Sequence, residues 1–188
     1  MDEFSSYNYK EMYQQLGLSI QRLGCIMADT EEIKVSHIVD DSWLYYAQNP
    51  DKYKYIDGVV SEKVPHATLL YGLIRSGTEM KDHVDTVLDG GRILPDMVEI
   101  SEVSYFGSSM NDEQYYCIIA KLNVTDELMN CHRRLSLLPH INTFPEYKPH
   151  ISLAYIKKDG AILDDCLEAL NNEYAGKKIK VLGINYGN

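Results

Sequence analysis

Val64-Pro65-His66-Ala67-Thr68-Leu69-Leu70-Tyr71 and Pro149-His150-Ile151-Ser152-Leu153-Ala154-Tyr155-Ile156 both read as short, largely apolar strands. From Pro65 to Tyr71 and from Pro149 to Tyr155 they match at Pro, His, Leu and Tyr, and Thr68 is answered by Ser152. Each carries a histidine, one residue, a hydroxyl and then an apolar residue. His37, His83, His132 and His140 have no hydroxyl two positions on. Side chains alternate faces along a strand, so His66 shares a face with Thr68, and His150 with Ser152. Side by side in one sheet, the two strands would bring two imidazoles and two hydroxyls to one cleft. The same parity puts Tyr71 and Tyr155, five residues after their histidines, on the opposite face, packed against a helix. A bend at Gly72 would change that for Tyr71.

Outward from these strands, the chain alternates between the two periodicities. Residues 8–23 read as an amphipathic helix, with Met12, Leu16, Ile20 and Leu23 at helical spacing and Gly24 as its stop. Cys25 to Ala28 is a short buried strand. Residues 36–62 form an aromatic insertion that holds Trp43, Tyr45, Tyr46, Tyr53 and Tyr55. Residues 78–89 read as a helix with Thr78 as N-cap, stopped by Gly90-Gly91. Residues 97–105 and 114–122 read as strands joined by the polar turn 108–112. A helix over 126–138 is capped by Thr125. After the second motif come a helix over 161–173 and a strand over 179–184. Asp40-Asp41 and Asp164-Asp165 read as helix starts. The length of 188 residues suits one domain.

Two histidines and two hydroxyls are what phosphodiester cleavage needs. One neutral imidazole removes a proton from the attacking oxygen, and the other, as imidazolium, protonates the leaving oxygen. A histidine near its ordinary pKa of about 6.5 supplies both states at neutral pH. Thr68 and Ser152 can donate to the non-bridging phosphate oxygens as charge builds there. The hydroxyls and the imidazolium already provide positive potential, so the expected chemistry needs no metal and no cofactor.

His-Ala-Thr-Leu at 66–69 and His-Ile-Ser-Leu at 150–153 resemble the paired His-x-Thr/Ser-hydrophobic motifs of the 2H phosphoesterases. The resemblance covers about residues 24–187. It implies an α+β fold of two pseudo-symmetric lobes of antiparallel sheet with flanking helices around a central cleft, each lobe contributing one motif strand. It also implies His66, Thr68, His150 and Ser152 as catalytic residues. The superfamily includes ligT-type RNA 2′,3′-cyclic phosphodiesterases, 2′-5′ oligoadenylate-cleaving enzymes and phage anti-CBASS nucleases. The last are similar in size and in the early insertion. That similarity implies a cyclic oligonucleotide substrate and, for a phage protein, the host cytoplasm.

Charge bears on the same choice. The formal net charge is −10, which argues against long nucleic acid, where phosphate neutralisation supplies most of the affinity. A small anionic nucleotide remains compatible, because a local pocket can oppose the global field. A 2′,3′-cyclic or 2′-5′ phosphodiesterase, or a module that only sequesters a nucleotide, are the other readings. No apolar run approaches membrane-spanning length. The acidic Met1-Asp2-Glu3-Phe4 is no secretory signal, so the expected compartment is the cytoplasm. Cys25, Cys117, Cys131 and Cys166 form no Cys-x-x-Cys pair, and read as small hydrophobes rather than zinc ligands. Candidate substrate contacts are Trp43 in the insertion and Phe144, Tyr147 and Lys148 in the loop before the second motif.

Overall fold

The structure, a computed structural model, describes residues 23–45, 55–56, 59–60, 65–106, 115–142 and 146–187. The expected helix over 8–23 (all but Leu23), most of the aromatic insertion, the turn over 108–112 and Phe144 lie outside them. The strands are β1 (Gly24–Thr30), β2 (Tyr55–Ile56), β3 (Val59–Val60), β4 (His66–Leu73), β5 (Met97–Phe106), β6 (Tyr115–Leu122), β7 (His150–Lys157) and β8 (Lys178–Gly187). Between them lie helices α1 (Lys81–Val87), α2 (Asp126–Leu135) and α3 (Gly160–Tyr174).

Six strands pair in the order β1-β4-β7-β6-β5-β8 and close on themselves, every neighbour antiparallel. Pairing around the ring is uneven. Long ladders join β4 to β1 and β1 to β8 on one side, and β7 to β6 and β6 to β5 on the other. The halves meet at two thin seams. β5 and β8 share three rungs, from Met97↔Lys180 to Glu99↔Lys178. β4 and β7 share one, Ala67↔Ile151. This is the expected α+β arrangement of two pseudo-symmetric lobes, with the motif strands at the seam between them.

The halves also repeat in sequence. Cys25-Ile26-Met27-Ala28-Asp29 on β1 and Cys117-Ile118-Ile119-Ala120-Lys121 on β6 are the central strands, and each pairs with its motif strand in the same register. Asp29 pairs with His66 and Lys121 with His150; Cys25 pairs with Tyr71 and Cys117 with Tyr155. The backbone N–H of Thr30 donates to the Pro65 carbonyl at 2.9 Å, as that of Leu122 does to Pro149 at 3.0 Å.

Helices cover one face. α2 packs on β4 through the buried side chains Leu128, Cys131 and Leu135. α3 lies against β5 and β7 through Leu163, Cys166, Leu170 and Tyr174. Both sets recur at helical spacing. They meet Ile26, Ala28, Ala67, Leu69, Ile118, Ala120, Ile151 and Leu153 in the core. Burial holds the Cys131 and Cys166 thiols up, each to about 11.

Helix starts follow side-chain capping and differ partly from expectation. Thr125 caps α2, accepting from the Leu128 N–H at 3.2 Å. Asp40 caps the 3-10 turn over 41–43. Thr78 does not cap α1; its hydroxyl donates to the Tyr186 carbonyl at 3.3 Å. The preceding turn is closed by Ser76 and Glu79, each accepting from the other's N–H. Nor does α3 start at Asp164-Asp165. Asp159 accepts from the Ala161 and Ile162 N–H groups, and the helix begins at Gly160. An acid with two N–H groups in reach caps better than acids already inside the helix.

Gly72 ends the regular part of β4 with φ +105°, a conformation that L side chains rarely adopt. A Cβ there would also collide with the Ile141 carbonyl oxygen, and the Gly72 carbonyl accepts from the Ile141 N–H at 2.8 Å. Gly72→Ala is therefore expected to cost about 2 kcal/mol or more, measured as a fall in the midpoint of denaturant unfolding. An unchanged midpoint would show that this close approach is not needed.

Candidate active site

Ala67 and Ile151 are fully buried and form the only rung shared by the motif strands. Counting one residue outward sets His66 across from Ser152, and Thr68 across from His150. All four polar groups are thus within one residue, about 3.3 Å of strand, of a single rung. They point away from the helices, and all four are half-buried. The structure brings the four residues together as strand parity expects.

Parity then breaks, in both strands and at the same place. On β4, Thr68 pairs with Met27 but Leu70 with the next residue, Ile26, so Leu69 is an extra residue. On β7, Ser152 pairs with Ile119 and Ala154 with Ile118, so Leu153 is extra. Each bulge buries two residues in a row, Leu69 with Leu70 and Leu153 with Ala154. It returns the following tyrosine to the histidine's face. Tyr71 and Tyr155 therefore do not pack against the helices as expected. Tyr71 is 42% exposed.

The bulge on β4 lies where β4 and β7 part, and two side chains replace the missing ladder. The Tyr147 hydroxyl donates to the Thr68 carbonyl at 3.1 Å. His132 Nδ1–H donates to the carbonyl of the extra residue, Leu69, at 2.7 Å. The two rings stack at 4.2 Å with 4° between planes. Burial holds the Tyr147 phenol above its ordinary value, so it remains a donor. On β7 the corresponding edge is filled by the insertion. Leu44 bridges Ile156, and the Tyr45 N–H donates to the Tyr155 carbonyl at 3.0 Å.

His150 is oriented from behind. Its Nδ1–H donates to the Lys148 carbonyl at 2.9 Å. That bond fixes the tautomer and leaves Nε2 to act on a ligand. The Phe106 ring meets the imidazole edge-on, centroids 4.8 Å apart. Ser152 Oγ accepts from Cys117 Sγ at 3.8 Å. The two histidines differ in their cross-strand neighbours. Asp29, across from His66, accepts from the Asn185 amide at 2.8 Å. Lys121, across from His150, pairs with Glu102 at 2.7 Å.

Of the expected substrate contacts, Trp43 is half-buried against the core. Tyr147 uses its hydroxyl and one ring face within the fold. The Lys148 ammonium is exposed and pairs with Glu146 at 3.3 Å. Phe106, Cys117, Asp29 and Lys121 on the motif face were not singled out from sequence. The repeat of Cys-Ile-x-Ala at 25–28 and 117–120 was the signal that marks three of them. Among the described residues, no three His, Cys, Asp or Glu side chains group as metal ligands would, and no helix is long and apolar enough to cross a membrane.

No family model and no curated protein matches the sequence. Among solved structures, Usb1 of Kluyveromyces marxianus is similar, with TM-score 0.52 and 10% identity over 89% of this chain and 95% of that one. The structure of the same protein with uridine monophosphate gives 0.49 and 8%, over 88% and 94%. The chain has the fold of Usb1.

Proposed function

We propose that this protein is a phosphodiesterase acting on small RNA-like nucleotides, with His66 and His150 as its acid/base pair. The observation that carries the reading is the single rung Ala67↔Ile151, which gathers two imidazoles and two hydroxyls on one face. The shared fold with Usb1 supports it. For a 3′-5′ linkage, the neutral imidazole takes the proton of the ribose 2′-hydroxyl. That oxygen attacks phosphorus, the bond to the 5′-oxygen breaks, and the imidazolium protonates the departing oxygen. The product is a 2′,3′-cyclic phosphate. Thr68 and Ser152 donate to the non-bridging oxygens, which carry most of the developing charge.

A net charge of −10 favours a small nucleotide over long RNA. Within that class we put cyclic oligonucleotides first, with 2′,3′-cyclic and 2′-5′ linked nucleotides as the other candidates. The test is incubation in EDTA with cyclic di- and trinucleotides, 2′-5′ oligoadenylate and 2′,3′-cyclic mononucleotides, with the products resolved. Turnover of at least one is expected. Activity lost on chelation would overturn the metal-independent mechanism. Tight binding without turnover would make the protein a sequestering module. A 2′-deoxy analogue cut as fast as its ribo form would remove the 2′-hydroxyl as nucleophile.

A further inference from the structure

β4 and β7 share the single rung Ala67↔Ile151, so whatever joins the strands beyond it sets the spacing of the two half-sites. The next two carbonyls of β4, on Thr68 and Leu69, take side-chain donors instead of a strand. One is the Tyr147 hydroxyl, at 3.1 Å, from the loop just before His150. The other is His132 Nδ1–H, at 2.7 Å, from α2. The two rings stack face to face at 4.2 Å, so neither donor shifts without the other.

Two freed carbonyls would not by themselves need this pair, since water can bridge such groups. What sets it apart is where the same loop ends. The Lys148 carbonyl, next after Tyr147, accepts from His150 Nδ1–H at 2.9 Å. The chain between is stiff. Pro149 has a fixed φ and keeps Lys148 in extended backbone. It is also buried, and its carbonyl accepts from the Leu122 N–H at 3.0 Å. Tyr147 thus ties the backbone of Thr68 in one half to the imidazole of His150 in the other. A displaced Tyr147 would carry the Lys148 carbonyl with it, release Nδ1–H and free the imidazole to turn or change tautomer.

We infer that Tyr147 and His132 form a positioning clamp between the half-sites, which fixes the place of Thr68 and, through Lys148, the tautomer of His150. Both residues act through Thr68 and His150 rather than on a substrate. The kinetic consequence rests on the proposed phosphodiesterase reading; the effect on the His150 ring does not.

Tyr147→Phe tests the clamp, because it keeps the ring and its stack and removes only the hydroxyl. Turnover is measured with cyclic di-AMP, 2′-5′ diadenylate and 2′,3′-cyclic AMP. On those that wild type turns over, kcat is expected to fall about 10- to 100-fold, the cost of a misplacement of up to about 1 Å, with KM within about twofold. The His150 ring is read separately, by its nitrogen chemical shifts in the ligand-free protein at about pH 8.5, where an ordinary histidine is neutral. Wild type should show Nδ1–H and a bare Nε2, and Tyr147→Phe a mixture of tautomers. His132→Ala is expected to lower kcat to a similar extent. His132→Asn, whose amide nitrogen takes the place of Nδ1, should recover most of the loss. Circular dichroism checks that each variant is folded; if a His132 variant is not, Tyr147→Phe alone decides. A folded Tyr147→Phe with wild-type kcat, with a raised KM alone, or with unmoved His150 nitrogens would overturn the inference. So would a folded His132→Asn no faster than the alanine variant. If wild type turns over none of the three substrates, the phosphodiesterase reading fails, and the His150 nitrogens still decide the clamp.

Discussion

His66→Ala and His150→Ala are each expected to lower kcat by about 10²–10⁴-fold, with thermal unfolding close to wild type. Both imidazoles are only half-buried at the seam between the lobes, so truncation leaves little cavity. The effects should not add. Proton removal and proton delivery belong to one step, and losing either disables the other. The double variant is therefore expected to be about as slow as the worse single one. His150 has a further handle, because its Nδ1–H is held by the Lys148 carbonyl. The backbone just before the strand thus decides which nitrogen faces the ligand. Wild-type kcat in either single variant would remove the histidines from the chemistry.

Thr68→Val and Ser152→Ala are the next largest, each with an expected fall of about 10²–10³-fold in kcat, as for an oxyanion donor. The split between constants carries the argument. A donor aimed at charge that develops in the transition state affects kcat and leaves KM nearly unchanged, whereas a simple substrate contact raises KM. Thr68→Ser, which keeps the hydroxyl, is expected to restore most of the rate. A rise in KM at unchanged kcat would make these hydroxyls binding groups only. Thr68 adds a useful control, because its carbonyl is held by Tyr147 independently of its side chain. Loss of the hydroxyl should not loosen β4.

Much of this was legible in the sequence. The two His-x-hydroxyl strands, their shared face and the alternation of strands with helices follow from periodicity. The structure joins the strands at the rung that parity requires. The tyrosines were misplaced because strand parity assumes one residue per rung, and nothing in Leu69-Leu70 or Leu153-Ala154 marks an extra residue. A short apolar run can be a straight buried strand or a bulged one. Asp29 and Lys121 were missed for a different reason. Each earns its place from a cross-strand partner distant in sequence, and only the second, central-strand repeat links them to the histidines. Tyr147 looked like a rim residue because it lies on a loop, yet its partner is a backbone carbonyl freed where β4 leaves its neighbour.

The paired bulges bear on how such a site can change over generations. A substitution alters one side chain and leaves the rest of the strand in phase. Gain or loss of a single residue at Leu69 or Leu153 would shift the phase of everything beyond it, exchanging which residues face the helices and which face the site. Insertions and deletions at these two points are therefore a route to new ligand preferences that keeps the histidines and hydroxyls untouched. Comparisons that score substitutions alone would see little change across such a step.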